Sequence, residues 1–152
     1  MASIKNILIS VNESETSLKA VRYVGEMSGC LAGLHVRLLH VAPEPPPYYY
    51  LEGNSLKDYV REKEAKAEEI FRAAVKILTD SGMPQERIST RTYIAERAEA
   101  ISSAILKVQK EGNYGTVVVG KRGVSKAEEF LFGSISNAVA HNCASFTVWI
   151  VA

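Results

Sequence analysis

The stretch VVVGKRGVSKAEEFLFGSISNAV, residues 117–139, decides the fold that the sequence predicts. It starts with a run of valines, which is typical of a strand buried on both faces of a parallel sheet. Gly120 and Gly123 follow the run, and Gly133 with Ser134 then opens a segment whose apolar spacing favours a helix. A buried strand that leads through a glycine-containing loop into a helix is typical of a doubly wound α/β domain.

The rest of the chain repeats this alternation of strands and helices. Apolar runs predict five strands, at residues 4–11, 34–41, 87–95, 116–120 and 145–152. Helical periodicity predicts four helices, at residues 15–29, 55–81, 96–112 and from 133 onward. Because helical crossovers make the strands parallel, we predict one domain over residues 1–152, with a five-stranded parallel sheet and helices on both faces.

Apolar stripes predict which helix faces pack on the sheet. The stripe of the second helix begins at Leu56 and continues through Ile70 to Leu78. The stripe of the third helix is predicted to begin at Ala98 and to include Ile105. These residues are therefore expected in the core.

The segment PEPPPYYYLEGN, residues 43–54, is predicted to be a long loop. Its consecutive prolines disfavour a helix and favour extended polyproline geometry. Its three tyrosines have two interpretations: they form a lid or a contact with a protein partner, or they pack onto the body of the domain.

Composition argues against several classes of function. The chain of 152 residues is 47% hydrophobic and has a formal net charge of +1, which argues against a nucleic-acid binder that relies on bulk positive charge. It contains no apolar run of transmembrane length, and its first residues lack the layout of a signal peptide, so we expect a cytoplasmic protein without membrane contact. Cys30 and Cys143 have neither metal-ligand nor disulfide spacing, and we expect buried thiols in a reducing compartment.

The glycines after the fourth strand also have two interpretations. In the first, they shape a turn and Ser134 caps the following helix. In the second, a phosphate lies at the helix N-terminus, where free N–H groups and the helix dipole favour an anion and the hydroxyls of Ser134 and Ser136 add hydrogen bonds. The segment is neither a Walker A loop nor the dinucleotide-binding fingerprint.

The spacing Gly120-x2-Gly123-x9-Gly133-Ser134 resembles the nucleotide-binding motif of the universal stress protein family, and the similarity covers nearly the whole chain. The resemblance implies a strand order of 3-2-1-4-5 and a homodimer formed through the C-terminal strand. It also implies that the protein binds ATP or another adenine nucleotide, with or without magnesium. The nucleotide-binding positions that it implies are Asn12, Val41, Val119, Gly120, Arg122, Gly123, Gly133, Ser134, Ile135 and Ser136.

Asn12 departs from the family pattern, which usually has an aspartate that contacts the adenosine end of the nucleotide. The asparagine keeps an acceptor oxygen but loses the negative charge that a charge-assisted bond or a metal contact needs. Glu13 is the neighbouring carboxylate, but adjacent residues at a strand end point in different directions, which argues against it as a replacement.

Three functions remain open. The chain is a nucleotide-binding regulatory protein of the stress response without efficient turnover, a slow ATPase whose hydrolysis times a switch, or a scaffold that acts through contacts with an unknown protein partner. Phosphoryl transfer usually needs a metal held by a carboxylate, and Asn12 replaces the best candidate, which favours the first function. We predict no catalytic residue and no metal ligand.

Overall fold

The structure is a computed structural model that describes residues 2–121 and 134–152. The predicted site residues Arg122, Gly123 and Gly133 lie outside the described residues. The strands are β1 (Ser3–Ser10), β2 (His35–Ala42), β3 (Ile88–Ile94), β4 (Tyr114–Gly120) and β5 (Thr147–Val151). The helices are α1 (Glu15–Ser28), α2 (Pro47–Leu51), α3 (Leu56–Asp80), α4 (Ile101–Gly112) and α5 (Ser134–His141).

The strands form one parallel sheet in the order β3-β2-β1-β4-β5, which confirms the fold and the strand order that the resemblance implied. The chain builds the sheet outward from β1 to β3 on one side, then returns to the other side of β1 and adds β4 and β5. The direction of growth therefore reverses between β1 and β4.

Helices cover both faces of the sheet. Ile7 and Ile9 of β1 pack in a cluster with residues of α1 and α3, whereas Leu8 packs in a second cluster with residues of α4 and α5. Successive strand residues point to opposite faces, and here both faces are buried. This arrangement explains why the strand signal in the sequence was a continuous apolar run rather than an alternation.

The apolar stripes of the second and third predicted helices are buried from Ala67 to Leu78 and from Ala104 to Val108, but the predicted first residue of each stripe was wrong. The third long helix, α4, begins at Ile101 rather than at residue 96, because Arg97 and Ala98 have left-handed φ angles of 38° and 59° that no helix accommodates. The N–H of Ala98 instead donates to Oε1 of Glu44 at 2.6 Å, and Ala98 is exposed. Leu56, the first residue of α3, is 52% exposed and does not belong to the core.

The predicted loop at residues 43–54 contains a short helix, α2, so the prediction that its prolines prevent a helix was wrong. Pro47 occupies the first turn, where a missing N–H costs no hydrogen bond and the fixed φ suits the helix. Tyr49 packs edge-on against Tyr59 of α3 at 5.2 Å, and the hydroxyl of Tyr59 donates to the carbonyl of Pro43 at 2.6 Å. These contacts fasten α2 to the body of the domain.

The structure also corrects one expectation drawn from composition. Cys30 is exposed, so the prediction of two buried thiols was wrong for this residue, while Cys143 is partly buried and donates to the carbonyl of Phe146. Within the described part of the chain, no helix has the length and apolar character needed to cross a membrane.

Candidate functional site

A cleft opens at the carboxyl ends of β1 and β4, where the direction of sheet growth reverses. Its described lining comes from the end of β1, the start of α1, the end of β4 and the first turn of α5, and consists of Ser10, Asn12, Ser14, Ser17, Val119, Gly120, Ile135 and Ser136. In open α/β sheets, ligands bind at the carboxyl ends of the strands at this kind of reversal.

The cleft brings together five of the predicted site residues, namely Asn12, Val119, Gly120, Ile135 and Ser136. Ser134 is the first residue of α5 and precedes two of them in the chain. Val41 does not line the cleft: it lies one strand away in β2, where it pairs with Tyr93 of β3.

Ser17, which was not among the predicted site residues, holds the chain at the end of β1 in place. Its Oγ accepts from the N–H of Asn12 at 3.1 Å and donates to the carbonyl of Asn12 at 2.9 Å, and the residue is only 3% exposed. The N–H of Ser17 donates in turn to Oγ of Ser14 at 3.2 Å, the cap of α1. A serine three positions after a capping serine was the signal available in the sequence.

Asn12 has a fixed amide orientation. Its Oδ1 accepts from the N–H of Ser14 at 2.8 Å, and this bond identifies which end of the amide is the oxygen. The Nδ2 group makes no hydrogen bond with any residue that the structure describes. The part of the side chain left for a ligand is therefore a donor, and not the acceptor oxygen that the sequence suggested.

Gly120 is required by a close helix contact. A Cβ at this position would lie 2.8 Å from the carbonyl oxygen of Thr16 and 3.1 Å from the backbone nitrogen of Ser17, both in the first turn of α1. Its φ is not left-handed, so space rather than backbone angle demands glycine here. Gly120 thus lets α1 bring Ser14 and Ser17 into the cleft, a role that the motif alone did not indicate.

Glu13 does not replace the missing carboxylate of Asn12. Its side chain pairs with Nζ of Lys66 on α3 at 2.9 Å and does not line the cleft. The hydrogen bond from Lys66 lowers the pKa of Glu13, and burial opposes this shift. Among the residues that the structure describes, no group of three histidine, cysteine or acidic side chains is placed to hold a metal ion.

Glu13→Gln is expected to lower the free energy of unfolding by less than about 1 kcal/mol at pH 7, because the ion pair is exposed. The folded-state pKa of Glu13 is lowered, so its contribution is present above the unfolded pKa and is lost as the pH falls through the folded value. The difference in free energy of unfolding between wild type and variant, measured by urea titration, should become smaller below about pH 4. A difference that grows in acid would contradict this assignment.

Comparison with known proteins identifies the family. Residues 3–152 match the sequence profile of the universal stress protein family. The chain belongs to that family. None of the curated protein sequences matches this universal stress protein.

Solved universal stress proteins share its fold. One from Lactobacillus plantarum is 16% identical, with 100% of both chains covered and a TM-score of 0.73. One in complex with cAMP is 20% identical over 97% of this chain and 96% of that chain, with a TM-score of 0.73. One from Archaeoglobus fulgidus in complex with dAMP is 18% identical over 100% of both chains, with a TM-score of 0.61. At these identities the likeness shows a common fold.

Proposed function

We propose that this universal stress protein binds an adenine nucleotide in the cleft between the ends of β1 and β4. ATP is the first candidate for this nucleotide. The observation that carries the proposal is the position of the cleft at the reversal of the sheet, with the first turn of α5 in its wall. The N-terminus of a helix favours a phosphate through its dipole and its backbone N–H groups. The complexes of related proteins with cAMP and dAMP support an adenine nucleotide.

The site in this proposal includes residues beyond the described lining. Gly123, Gly133 and Ser134 complete the motif that surrounds the phosphates and ribose, with Arg122 as a source of positive charge. Val41 contacts adenine through its backbone. These assignments rest on the resemblance of the sequence to the family.

The proposed role is that of a cytoplasmic stress-response regulator that binds its nucleotide without efficient turnover. Phosphoryl transfer needs positioned charge and an oriented nucleophile. The described side chains of the cleft are serine hydroxyls, one asparagine amide and aliphatic groups, which can bind and orient a ligand through neutral contacts. This chemistry suits binding better than hydrolysis.

The protein is further proposed to be a homodimer that pairs through β5. This strand lies at the edge of the sheet, next to β4. Trp149 packs edge-on against Tyr23 of α1 at 5.8 Å, and Ile150 is 37% exposed beside them. An apolar edge strand is a template for pairing with a second chain, so a two-fold partner would satisfy both edges at once.

Ile135→Asp is expected to weaken ATP binding at least about tenfold, because it places a carboxylate in the first turn of α5, where the phosphate is proposed to lie. Calorimetric titration with ATP measures the effect, and Ile135→Asn is the matched neutral control. Ile135 packs against the second core cluster, so both variants lose that contact, while the charge itself suits a helix N-terminus.

Nucleotide retained by the purified wild type separates the three functions. Intact ATP supports binding without turnover, ADP supports the slow ATPase, and a protein that neither retains nor binds nucleotide would support the scaffold and refute the proposed function. Equal ATP affinity in wild type and Ile135→Asp would show that the phosphate does not lie at the start of α5.

A further inference from the structure

We propose a second ligand site, for a small molecule with a phosphate monoester group, at the amino ends of the strands. A cavity of about 310 Å³ opens there, on the opposite edge of the sheet from the nucleotide cleft. His35, which lines this cavity, and Val41, the proposed adenine contact, stand near the two ends of β2, so roughly 20 Å separate the two sites. The inference does not depend on the proposed nucleotide site.

Polar side chains of neighbouring strands share one face of the sheet at this cavity. Arg37 of β2 lies opposite Ser89 of β3 in the strand register, and Asn6 of β1 lies opposite His35 of β2. His35 and Arg37 are on the same face as Leu39, which belongs to the second core cluster under α4. Because α4 ends beside the cavity, this part of the face stays open.

The guanidinium group of Arg37 has a fixed direction. Its Nε donates to Oγ of Ser89 at 2.6 Å, and that hydroxyl donates in turn to the carbonyl of Val36 at 3.4 Å. The two Nη groups of Arg37 meet no acceptor among the residues that the structure describes. They form the flat pair of donors that binds two oxygens of a phosphate at once.

The arginines of the cavity differ from a neighbouring arginine in having no carboxylate partner. Arg91 of β3 lies two residues beyond Ser89 on the same face and pairs with Glu111 of α4 at 3.0 Å. In the described part of the chain, neither Arg37 nor Arg87 forms an ion pair, although both line the cavity. The protein thus neutralises one arginine of this region itself and leaves two for an external anion.

The balance of charge in the cavity favours a dianion. The opposing groups in its walls are the carboxylate of Glu86 and the carbonyl end of α4, where the N–H of Asn113 already occupies the carbonyls of Gln109 and Lys110. The two guanidinium groups outnumber the one carboxylate, and the amide of Asn6 adds neutral donors. A phosphate monoester carries nearly two negative charges at neutral pH and three acceptor oxygens, which suits two guanidinium groups.

The test is titration of the full chain with inorganic phosphate and with glycerol phosphate, followed by the backbone amide signals in NMR spectra. Signals of residues 35–37 and 87–89 report on the cavity, and those of residues 134–136 report on the nucleotide cleft. Arg37→Gln removes the charge and the paired donors. Arg72→Gln is the matched control, since it removes the same charge from an exposed position of α3, which packs on the other face of the sheet.

The wild type is expected to show saturable shifts at residues 35–37 and 87–89, with a dissociation constant below about 5 mM for both probes. Arg37→Gln should weaken this binding at least about tenfold, while Arg72→Gln should follow the wild type. Arg87→Gln, outside the strands, makes the same test if Arg37→Gln does not fold.

Three results would overturn the second site. The first is a wild type whose signals at the cavity do not saturate, and the second is an Arg37→Gln protein that binds both probes as tightly as the wild type. The third is a set of shifts confined to residues 134–136, which would place phosphate in the nucleotide cleft alone. Binding of inorganic phosphate without glycerol phosphate would refute the monoester as the ligand.

Discussion

Gly120→Ala is expected to lower the free energy of unfolding by about 2 kcal/mol and to weaken nucleotide binding at the same time. The added Cβ would lie 2.8 Å from the carbonyl oxygen of Thr16 and 2.9 Å from its carbonyl carbon. Both are backbone atoms of the first turn of α1, so relief requires a shift of the helix rather than a change of rotamer. That shift would move Ser17 and Asn12 out of their hydrogen-bonded arrangement.

Gly29→Ala is the control for this substitution. Gly29 caps the C-terminus of α1 with a φ of −69°, which any residue adopts, and its Cβ would meet only the carbonyl oxygen of Glu26 at 3.4 Å. We expect this change to be neutral or to stabilise by up to about 1 kcal/mol through the unfolded state. Urea unfolding of both variants without nucleotide measures the contrast. If Gly120→Ala is as stable as wild type and binds ATP less well, then Gly120 serves the ligand directly and not the helix.

Val148→Pro is expected to convert the proposed dimer into a monomer, with a rise in the dimer dissociation constant of roughly a hundredfold. The N–H of Lys121 donates to the carbonyl of Val151 at 2.6 Å, so Val151 directs its polar backbone groups toward β4. Successive residues of a strand direct these groups to opposite edges, which turns the N–H of Val148 to the open edge. Proline removes that N–H without removing a bond to β4.

Sedimentation velocity at micromolar concentration measures the effect. Val148→Thr keeps both the N–H and the branched shape, and it should remain dimeric. Circular dichroism should show the same helix and strand content in all three proteins. A monomeric wild type would refute pairing through β5, and a dimeric Val148→Pro would place the interface elsewhere.

The order of strands and helices was predictable because each element carries its own periodicity. The valines of β4 and the apolar run of β1 identified buried parallel strands, and the crossover rule then fixed the sheet type. The order of the strands in the sheet was not predictable in this way. Nothing in the local pattern states that β1 lies between β2 and β4, and this order came from resemblance to a family.

The errors in the predicted helices lie where contacts with distant residues or the exact position in the helix override a local sequence rule. Residues 96–100 have helical composition, yet Ala98 takes a left-handed turn that is held by the distant carboxylate of Glu44. Pro47 was counted against a helix although it stands at the first turn, the one helical position that suits proline.

The same holds for the site: the sequence located residues of the cleft but not the contacts between them. Resemblance to the family located five of the cleft residues, among them Asn12 and Gly120. It gave no information on the direction of the Asn12 amide, which depends on the hydrogen bond from Ser14. It also missed that Gly120 serves the approach of α1, because that contact joins segments about a hundred residues apart.

Because the sheet reverses its direction of growth between β1 and β4, the cleft lies where a three-stranded part of the sheet meets a two-stranded part. A nucleotide that contacts both strand ends would fasten these parts together, and unfolding would have to release it. By mass action, a ligand present at one hundred times its dissociation constant adds about 2.7 kcal/mol to the free energy of unfolding. The concentration of free nucleotide would then set how strongly the folded protein resists heat and proteolysis.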